Sequence, residues 1–443
     1  MSEKISYINA SQYENEVLNG GRVVLDFYSS ECPPCEALAT KFEPLSLIYG
    51  DDVKFIKIFR QENRPLAEKL GVVSSPTVIF YKGGKEIGER LNGGIKRSDL
   101  VKNLELLIDQ KRAAELRALT KPVETHCDIL IIGGGPTGLT AGIYAAQAKV
   151  KTILVDQALP GGQVTTTHLV SNYPGFEKPV EGYMLTHFMT EQAKRAGVEF
   201  RQAVEVLNVD LAAKSVLVDG FETIRAKQII IATGSSYREL NVPGEVQYKG
   251  KGISYCATCD AKYYDGKDVV VIGGGNSAVE ESLFITKFAR RVTIVHQFDT
   301  LQANREAQER AFANERIEFV FEHEPRAFEK RPDGGMDVTI EDLKTGGQKI
   351  LHSDGVFIFA GMKPNIGLFN GALALDQWGY VAADELLHTN IPGVLAAGDV
   401  RSKPYRQITT AVADGTIAAI TAVKDLESID QLIKNAAISS ARK

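Results

Sequence analysis

Short apolar runs alternate with amphipathic stretches from one end of the chain to the other. V-V-L-D-F-Y (23–28), V-K-F-I-K-I-F (53–59) and T-V-I-F-Y (77–81) read as strands, with helical patterns at 33–48 and L-A-E-K-L (66–70) between them. Y-K-G-G-K-E (81–86) predicts a hairpin turn, and 98–118 a charged amphipathic helix opening at Ser98 and Asp99. T-K-P-V-E-T (120–125) reads as a short linker, after which the chain restarts at Cys127 with D-I-L-I-I-G-G-G. An unbroken apolar strand running into a glycine loop is the pattern of a buried parallel strand feeding a phosphate-binding turn. The pattern returns at D-V-V-V-I-G-G-G (268–275). Strand–helix alternation throughout predicts an α/β fold.

The chain has 443 residues, enough for about three domains. Its net charge of −5 gives no footprint for nucleic acid or an anionic membrane. No apolar run approaches the roughly 18 residues of a membrane span, and the N-terminus lacks an apolar signal core. These features predict a soluble, cytoplasmic protein. The five cysteines include two C-x-x-C pairs, and in a reducing compartment such pairs are catalytic or metal-binding before they are structural.

Gly133, Gly135 and Gly138, with Pro136 in the loop, fit a dinucleotide fingerprint between a strand and a helix. Asp156 ends the next strand, about 20 residues on, where a ribose-binding carboxylate belongs. Gly273, Gly275 and Ala278, with Asn276 and Ser277, repeat the loop, and the same spacing ends on His296 followed by Gln297. The second site therefore has neither the carboxylate nor an arginine at that point. A decayed second site is the rival reading.

Cys32 and Cys35 follow the first apolar strand, and Cys32 opens a helix whose first turn contains Pro33 and Pro34, positions where proline costs no hydrogen bond. A helix N-terminus favours a thiolate at Cys32. Asp26 interrupts an apolar strand; burial is expected to raise its pKa and suit it to proton exchange with Cys35. A zinc half-site is the alternative, but residues 1–125 contain no further Cys or His. Cys256 and Cys259 lie between the fingerprints, followed by Asp260, which reads as an acid–base partner or as a capping or surface carboxylate. Cys127 reads as a small core residue, and Trp378 is given no role.

At these residues a resemblance becomes close. Residues from about 127 to 435 resemble the low-molecular-weight thioredoxin reductases, class II pyridine nucleotide–disulfide oxidoreductases. The motifs are G-G-G-P-T-G-L-T-A, G-G-Q (161–163), S-N-Y-P-G (171–175), I-A-T-G (231–234), C-A-T-C-D, G-G-G-N-S-A-V-E, G-M-K-P-N (361–365), A-G-D-V (397–400) and R-Q-I-T-T-A (406–411). Residues 1–110 look like thioredoxin: Asp26, C-x-x-C, S-P-T with Pro76 at the cis-proline position, and the Y-K-G-G-K hairpin. Thioredoxins are themselves a standard example of a lowered thiol pKa. The resemblance implies a thioredoxin fold followed by two Rossmann-like, three-layer domains. It divides the chain into 1–118, a linker at 119–126, an FAD domain split into 127–244 and 363–443, and a nicotinamide domain at 245–362.

It further implies FAD and NAD(P)H as cofactors, a homodimer, and protein disulfides as substrates. Gly162, Gln163, Asn172, Thr233, Gly234, Gly398, Asp399, Arg406, Gln407 and Ile408 fall on the family's flavin-site motifs. Cys259 would face the flavin, Cys256 would attack the outgoing disulfide, and Asp260 would supply protons. Cys32 would be the thioredoxin nucleophile, Cys35 its resolving partner, and the edge at Pro76 would hold an extended peptide. There are departures. Tyr28 and Glu31 stand where thioredoxins carry tryptophan, Pro33 replaces a glycine, and Glu31 opposes thiolate formation at Cys32. H-Q-F-D-T-L-Q (296–302) stands where relatives using NADPH carry H-R-R-x-x-x-R, so NADH is favoured. The alternative is an NADH-dependent peroxiredoxin reductase resembling the alkyl hydroperoxide reductase flavoprotein, whose N-terminal region holds two thioredoxin-like units where residues 1–110 have room for one. A redox-inactive scaffold and a ferredoxin-reduced flavoprotein are the remaining readings; the retained cysteines argue against the first and Gly273–Ala278 against the second.

Overall fold

The computed structural model describes residues 4–167, 170, 172–369 and 371–441, without the side chains of 429–430 and 432–441; Ser171 of S-N-Y-P-G lies outside the described residues. The chain divides into two compact units, one comprising 1–162, 187–234 and 366–443, the other 163–186 and 235–365.

The first unit begins with a sheet of β1 (Ile5–Ile8), β2 (Arg22–Tyr28), β3 (Lys54–Phe59), β4 (Thr77–Lys82), β5 (Lys85–Glu86) and β6 (Leu91–Asn92). The order is β1-β3-β2-β4-β5, with β6 also on β4; β1, β3 and β2 run parallel and β4 antiparallel. Alternation along β2 sends Val23, Leu25 and Phe27 to one core and Val24 to the other. The Val24 face is covered by α1 (Pro33–Tyr49), α3 (Arg97–Leu107) and α4 (Gln110–Ala118), through Phe42, Leu45, Leu100, Leu104 and Leu116. The opposite face is covered by α2 (Arg64–Lys69) with Tyr13 and Val17. Each fully buried Leu or Phe contributes about 1.5–3 kcal/mol by leaving water. By the same alternation Asp26 falls on the Val24 face, the face that α1 covers.

The helix expected at 98–118 is in fact two. Ile108 is extended (φ −117, ψ 173), and the Asp109 carboxylate accepts from Arg112 N at 2.9 Å to cap α4. A local N-cap outcompetes helix continuation there. The expected linker at 120–125 is also shorter. β7 (Val123–Ile132) already pairs at Val123–Cys127 with β12 (Glu222–Ile231), so only 119–122 connect α4 to the next sheet. The β-branched, alternating V-E-T-H segment supplies an edge that β12 extends.

That next sheet has the order β10-β11-β12-β7-β8-β9, with β8 (Thr152–Asp156), β9 (Glu199–Gln202), β10 (Val206–Asp210) and β11 (Ser215–Val218), and with Val394–Ala396 added parallel to β12. β7, β8, β9 and β12 are parallel, and α5 (Pro136–Gln147) follows β7 directly. In the second unit five parallel strands stand in the order Ile253–Ser254, Gly355–Ile358, Asp268–Ile272, Arg291–His296 and Ile317–Phe321. A three-stranded antiparallel sheet (His323–Lys330, Met336–Asp342, Gln348–Ser353) adds a second layer. The α/β class and the thioredoxin and Rossmann-like folds expected from the sequence are what the chain adopts. Among the described residues no helix is long and apolar enough to cross a membrane.

Candidate redox and nucleotide sites

Cys32 is the N-cap of α1 and is disulfide-bonded to Cys35. Its Sγ accepts from Cys35 N at 3.2 Å and its carbonyl from Cys35 N and Glu36 N, so the sulfur sits at the positive end of the helix dipole, where Pro33 and Pro34 have no N–H and Cys35 supplies the first one. Cys32 Sγ lies 3.4 Å from the carbonyl of Ser75, and the Ser75–Pro76 peptide is cis, as the Pro76 expectation requires. Asp26 is 1% exposed. Its Oδ2 is 4.0 Å from Lys57 Nζ, and its Oδ1 has no hydrogen-bond partner among the described residues. Burial pushes its pKa up to about 7, against the pull of Lys57. Glu31 is exposed with φ 49, a left-handed conformation at the corner before the helix. Tyr28, at the tryptophan position, packs on Phe59 with ring centroids 5.4 Å apart.

Cys256 and Cys259 form the second disulfide, and Cys256 again precedes a short helix, Ala257–Asp260. Ser254 organises this turn. Its hydroxyl donates to Asp260 Oδ2 at 2.6 Å and accepts from Cys256 N at 3.1 Å. Sequence reasoning missed Ser254; the signal was a hydroxyl residue just ahead of C-x-x-C-D. Asp260 thus stands in the dithiol turn, hydrogen-bonded through Ser254. Ala257 and Ala261 pack with Ala278 and Val279 in one buried cluster, which brings the dithiol turn against the helix Asn276–Ile285 of the second fingerprint. Cys127 is buried in the core, and burial pushes its thiol up to about 12, the inert state expected of it. Trp378 is exposed. Among the described residues no group of three or more Cys, His, Asp or Glu is placed to hold a metal ion.

The first fingerprint forms a loop with open space above it. Gly133 has φ 110, and a Cβ there would collide with the Ala232 carbonyl. A Cβ on Gly138 would strike the Gly133 carbonyl. Gly135 differs: a Cβ would meet only Gly162 Cα, at 3.9 Å, so the protein leaves the space beyond it unfilled. Asp156 closes the loop from below, with Oδ2 accepting from Gly134 N at 2.5 Å and Oδ1 from Ala158 N at 2.8 Å. Its burial raises its pKa above the usual carboxylate range, partly offset by those two N–H groups. Gly161 N donates to the Gly134 carbonyl at 2.7 Å. Thr233 and Gly234 follow β12 and lie in this unit; Gln163 and Asn172 belong to the second, where the Gln163 amide donates to the Ser235 carbonyl.

Gly398, Asp399, Arg406, Gln407 and Ile408 precede or begin the helix Ile408–Ala441. A Cβ on Gly398 would strike Thr137 in α5, which brings this segment onto the first fingerprint helix. Lys403 Nζ is 3.0 Å from Asp399 Oδ1 and 3.4 Å from Asp414 Oδ2. Arg401 pairs with Asp414, whose carboxylate also accepts from Gly398 N at 2.9 Å. Burial works against the charged form of Asp414, but these partners outweigh it and hold its pKa low. Arg401, Lys403 and Asp414 were not singled out in the sequence. Arg406 stacks 3.9 Å over the Tyr380 ring, and its buried Nε has no hydrogen-bond partner among the described residues. An open glycine cradle and a buried cationic donor without an acceptor fit a phosphate- and carbonyl-bearing dinucleotide such as FAD.

The second fingerprint repeats the architecture with a different floor. Gly275, like Gly135, faces open space. A Cβ on Gly274 would collide with the His296 ring, just as one on Gly134 would meet Asp156. His296 is buried; burial lowers its pKa below the usual imidazole value and so favours the neutral form, and its Nε2 has no partner among the described residues. Gln297, Phe298, Asp299 and Gln302 are exposed around it. The nearby cations are engaged: Arg305 pairs with Glu309 at 2.9 Å and Lys344 with Glu322 at 2.6 Å. Arg291, at the other end of the strand, pairs with Asp268. Asn276 anchors the loop by accepting from Asn304 N at 2.6 Å, with Ser277 and Ala278 in the first turn of its helix.

Residues 127–415 match the family described as pyridine nucleotide-disulphide oxidoreductase, and residues 4–106 match thioredoxin. A thioredoxin reductase of Bacillus subtilis is 39% identical over 69% of this chain and 97% of its own length. A 34.2 kDa protein in the rubredoxin operon of Clostridium pasteurianum is 43% identical over 68% of this chain and 97% of its own. The crystal structure of thioredoxin reductase from Streptococcus pyogenes superposes with a TM-score of 0.64 at 40% identity, covering 69% of this chain and 99% of that one.

Proposed function

Because the chain belongs to the pyridine nucleotide-disulphide oxidoreductases, in the thioredoxin reductase branch and with a thioredoxin fold ahead of it, we propose that this oxidoreductase is a complete relay. It carries electron pairs from NAD(P)H through FAD to Cys256–Cys259, then to Cys32–Cys35, and finally to protein disulfides. The observation that carries this reading is the pair of vicinal disulfides, each opening a helix with its first cysteine, in one chain with two nucleotide loops.

When bound, FAD supplies two-electron transfer between the nicotinamide and the inner disulfide. Gly133, Gly135, Gly138 and Asp156 would hold the first dinucleotide, and the unpartnered Arg406 Nε would donate to it. Reduction of the Cys256–Cys259 bond yields two thiols. The Cys256 thiolate attacks Cys32 Sγ; the Cys256–Cys32 bond forms as the Cys32–Cys35 bond breaks, and Cys35 leaves as a thiolate. Cys259 then attacks Cys256, restoring the inner disulfide and releasing Cys32 reduced. Asp260, held by Ser254, exchanges protons with the inner pair. Asp26, with a pKa pushed up to about 7, protonates the departing Cys35 and recovers the proton later. Cys32 attacks the target disulfide, with the edge at cis-Pro76 taking an extended peptide. Domain limits at 1–118, 127–244, 245–362 and 363–443, a homodimer, and a reducing, cytoplasmic setting belong to the same proposal.

NADH is the nicotinamide we favour. A 2′-phosphate needs charge-assisted partners. Around His296 the exposed groups are Gln297, Phe298, the anionic Asp299 and Gln302, and the cations at Arg305 and Lys344 lie outside this ring in surface pairs with Glu309 and Glu322. Gln297 can bond a ribose hydroxyl but cannot neutralise a phosphate. The test of the whole reading is anaerobic titration with NADH: one FAD per chain bleaches, and the cysteines of both disulfides become alkylatable. Bleaching without release of the Cys32–Cys35 thiols would refute the relay.

A further inference from the structure

The first unit contains a second feature that the electron path does not use. Lys41, midway along α1, is 4% exposed, yet its one bond within the thioredoxin fold is to the Ala37 carbonyl at 3.1 Å. What buries it lies in the flavin-side sheet. Lys41 Nζ donates to the Gln202 carbonyl at 2.9 Å, and its charge faces Asp219. A lysine is rarely buried without a partner, so this position is built for the contact.

Further contacts surround it. Ser98 Oγ donates to Glu205 at 2.9 Å. The Arg97 guanidinium lies 4.9 Å over the Phe221 ring and also faces Asp219. Glu36, next to Cys35, pairs with Lys194 at 2.6 Å. A Cβ on Gly94 would touch the side chains of Leu159 and Ala203, so this loop packs directly against them. The thioredoxin fold thus offers two cations, a hydroxyl and an anion, and the flavin-binding part offers Asp219, Glu205 and, on the helix Gly182–Ala196, Lys194, in matching places. Complementary charges of both signs fix orientation more than they add affinity. The contact leaves Val73, beside the cis-Pro76 edge, 84% exposed.

We infer that the flavin-binding part carries a dedicated seat, formed by Leu159, Lys194, Gln202, Glu205, Asp219 and Phe221, for the α1–α3 flank of the chain's own thioredoxin fold. The seat holds that fold with its peptide-binding edge free for a protein disulfide. The connector 119–122 spans at most about 14 Å, which favours occupancy in cis.

The test is lysine acylation of the full-length protein at pH 7.5, read by mass spectrometry. Lys41 in the native chain is expected to react at least tenfold more slowly than the exposed Lys102. Arg97→Glu, which faces Asp219 with a like charge, and Lys194→Glu, which repels Glu36, are each expected to raise the Lys41 rate severalfold. Adding Glu36→Lys to Lys194→Glu is expected to restore protection. Equal reactivity of Lys41 and Lys102 in the native chain, or protection unaffected by both variants, would overturn the seat. Zero-length carbodiimide crosslinks between Glu36 and Lys194, the more exposed pair across the same contact, in mixed heavy and light protein distinguish the occupant: purely same-isotope crosslinks are expected, and mixed-isotope crosslinks would overturn the assignment in cis. The labelling reads placement and not turnover, so its failure would leave the electron path standing.

Discussion

Asp26→Asn isolates the cost of the buried carboxylate in the thioredoxin fold. Asp26 is 1% exposed, and burial pushes its pKa from an ordinary value of 3.8 up to about 7, with Lys57 pulling the other way. The folded state therefore holds a proton that the unfolded chain gives up between about pH 4 and pH 7. A raised folded pKa contributes stability that is fully present below the unfolded pKa and is lost as pH rises through the folded pKa. Three units at 1.36 kcal/mol each make the loss about 4 kcal/mol by pH 8. Asparagine does not titrate. It keeps the shape, and the altered contact with Lys57 adds an offset that varies little with pH. The assay is hydrogen exchange at the β2 amides in the full-length chain, run from pH 5 to 8.5 and corrected for intrinsic rates. The stability of the variant relative to the parent is expected to rise with pH, by several kcal/mol across that range. A flat difference would show that Asp26 is already ionised near its ordinary pKa, and the proton-exchange role would fall with it. The same substitution is expected to slow resolution at Cys35 by about tenfold or more, since general acid–base groups contribute roughly 10²–10⁴-fold.

Gly135→Ala is expected to weaken FAD retention with little loss of fold stability, because a Cβ there meets only Gly162 Cα at 3.9 Å; Gly133→Ala, at φ 110 and against the Ala232 carbonyl, is expected to lower the melting temperature as well. Native kcat/KM is expected to favour NADH, and Gln297→Arg with Phe298→Arg to shift the ratio toward NADPH by about a hundredfold; a native NADPH preference above tenfold would refute the reading of the His296 site. Ser254→Ala removes the 2.6 Å bond to Asp260 and is expected to cost about 1 kcal/mol of local stability and to slow reoxidation of the inner dithiol in stopped-flow, with unchanged nicotinamide KM.

The features legible in the sequence were those with local physics. Alternation located β2, β3 and β4, the glycine loops announced strand–loop–helix units, and an aspartate inside V-V-L-D-F-Y declared itself as buried and unusual. The break at Ile108–Asp109 was missed because amphipathic periodicity continues across it, while the decision rests on one capping carboxylate. The start of β7 at Val123 was missed because V-E-T-H is short and mostly polar, with only Val123 apolar; it becomes a strand only when Glu222–Ala226 pairs with it. Ser254, Arg401, Lys403 and Asp414 act through partners at a distance or around a tight turn, and no spacing rule marks them. Lys41 looked like any surface lysine on a helix, since the carbonyl that buries it comes from Gln202, far along the chain.

The relay itself is tested most directly by trapping its central step. In the Cys35→Ser, Cys259→Ser double variant both resolving thiols are gone, leaving Cys32, Cys256 and the buried Cys127. Mild oxidation of the reduced variant followed by non-reducing peptide mapping is expected to show a Cys32–Cys256 disulfide as the dominant linked pair, because each outer thiol attacks and each inner one resolves. Absence of that bond, or linkage of either cysteine to Cys127 instead, would contradict the proposed order of electron transfer.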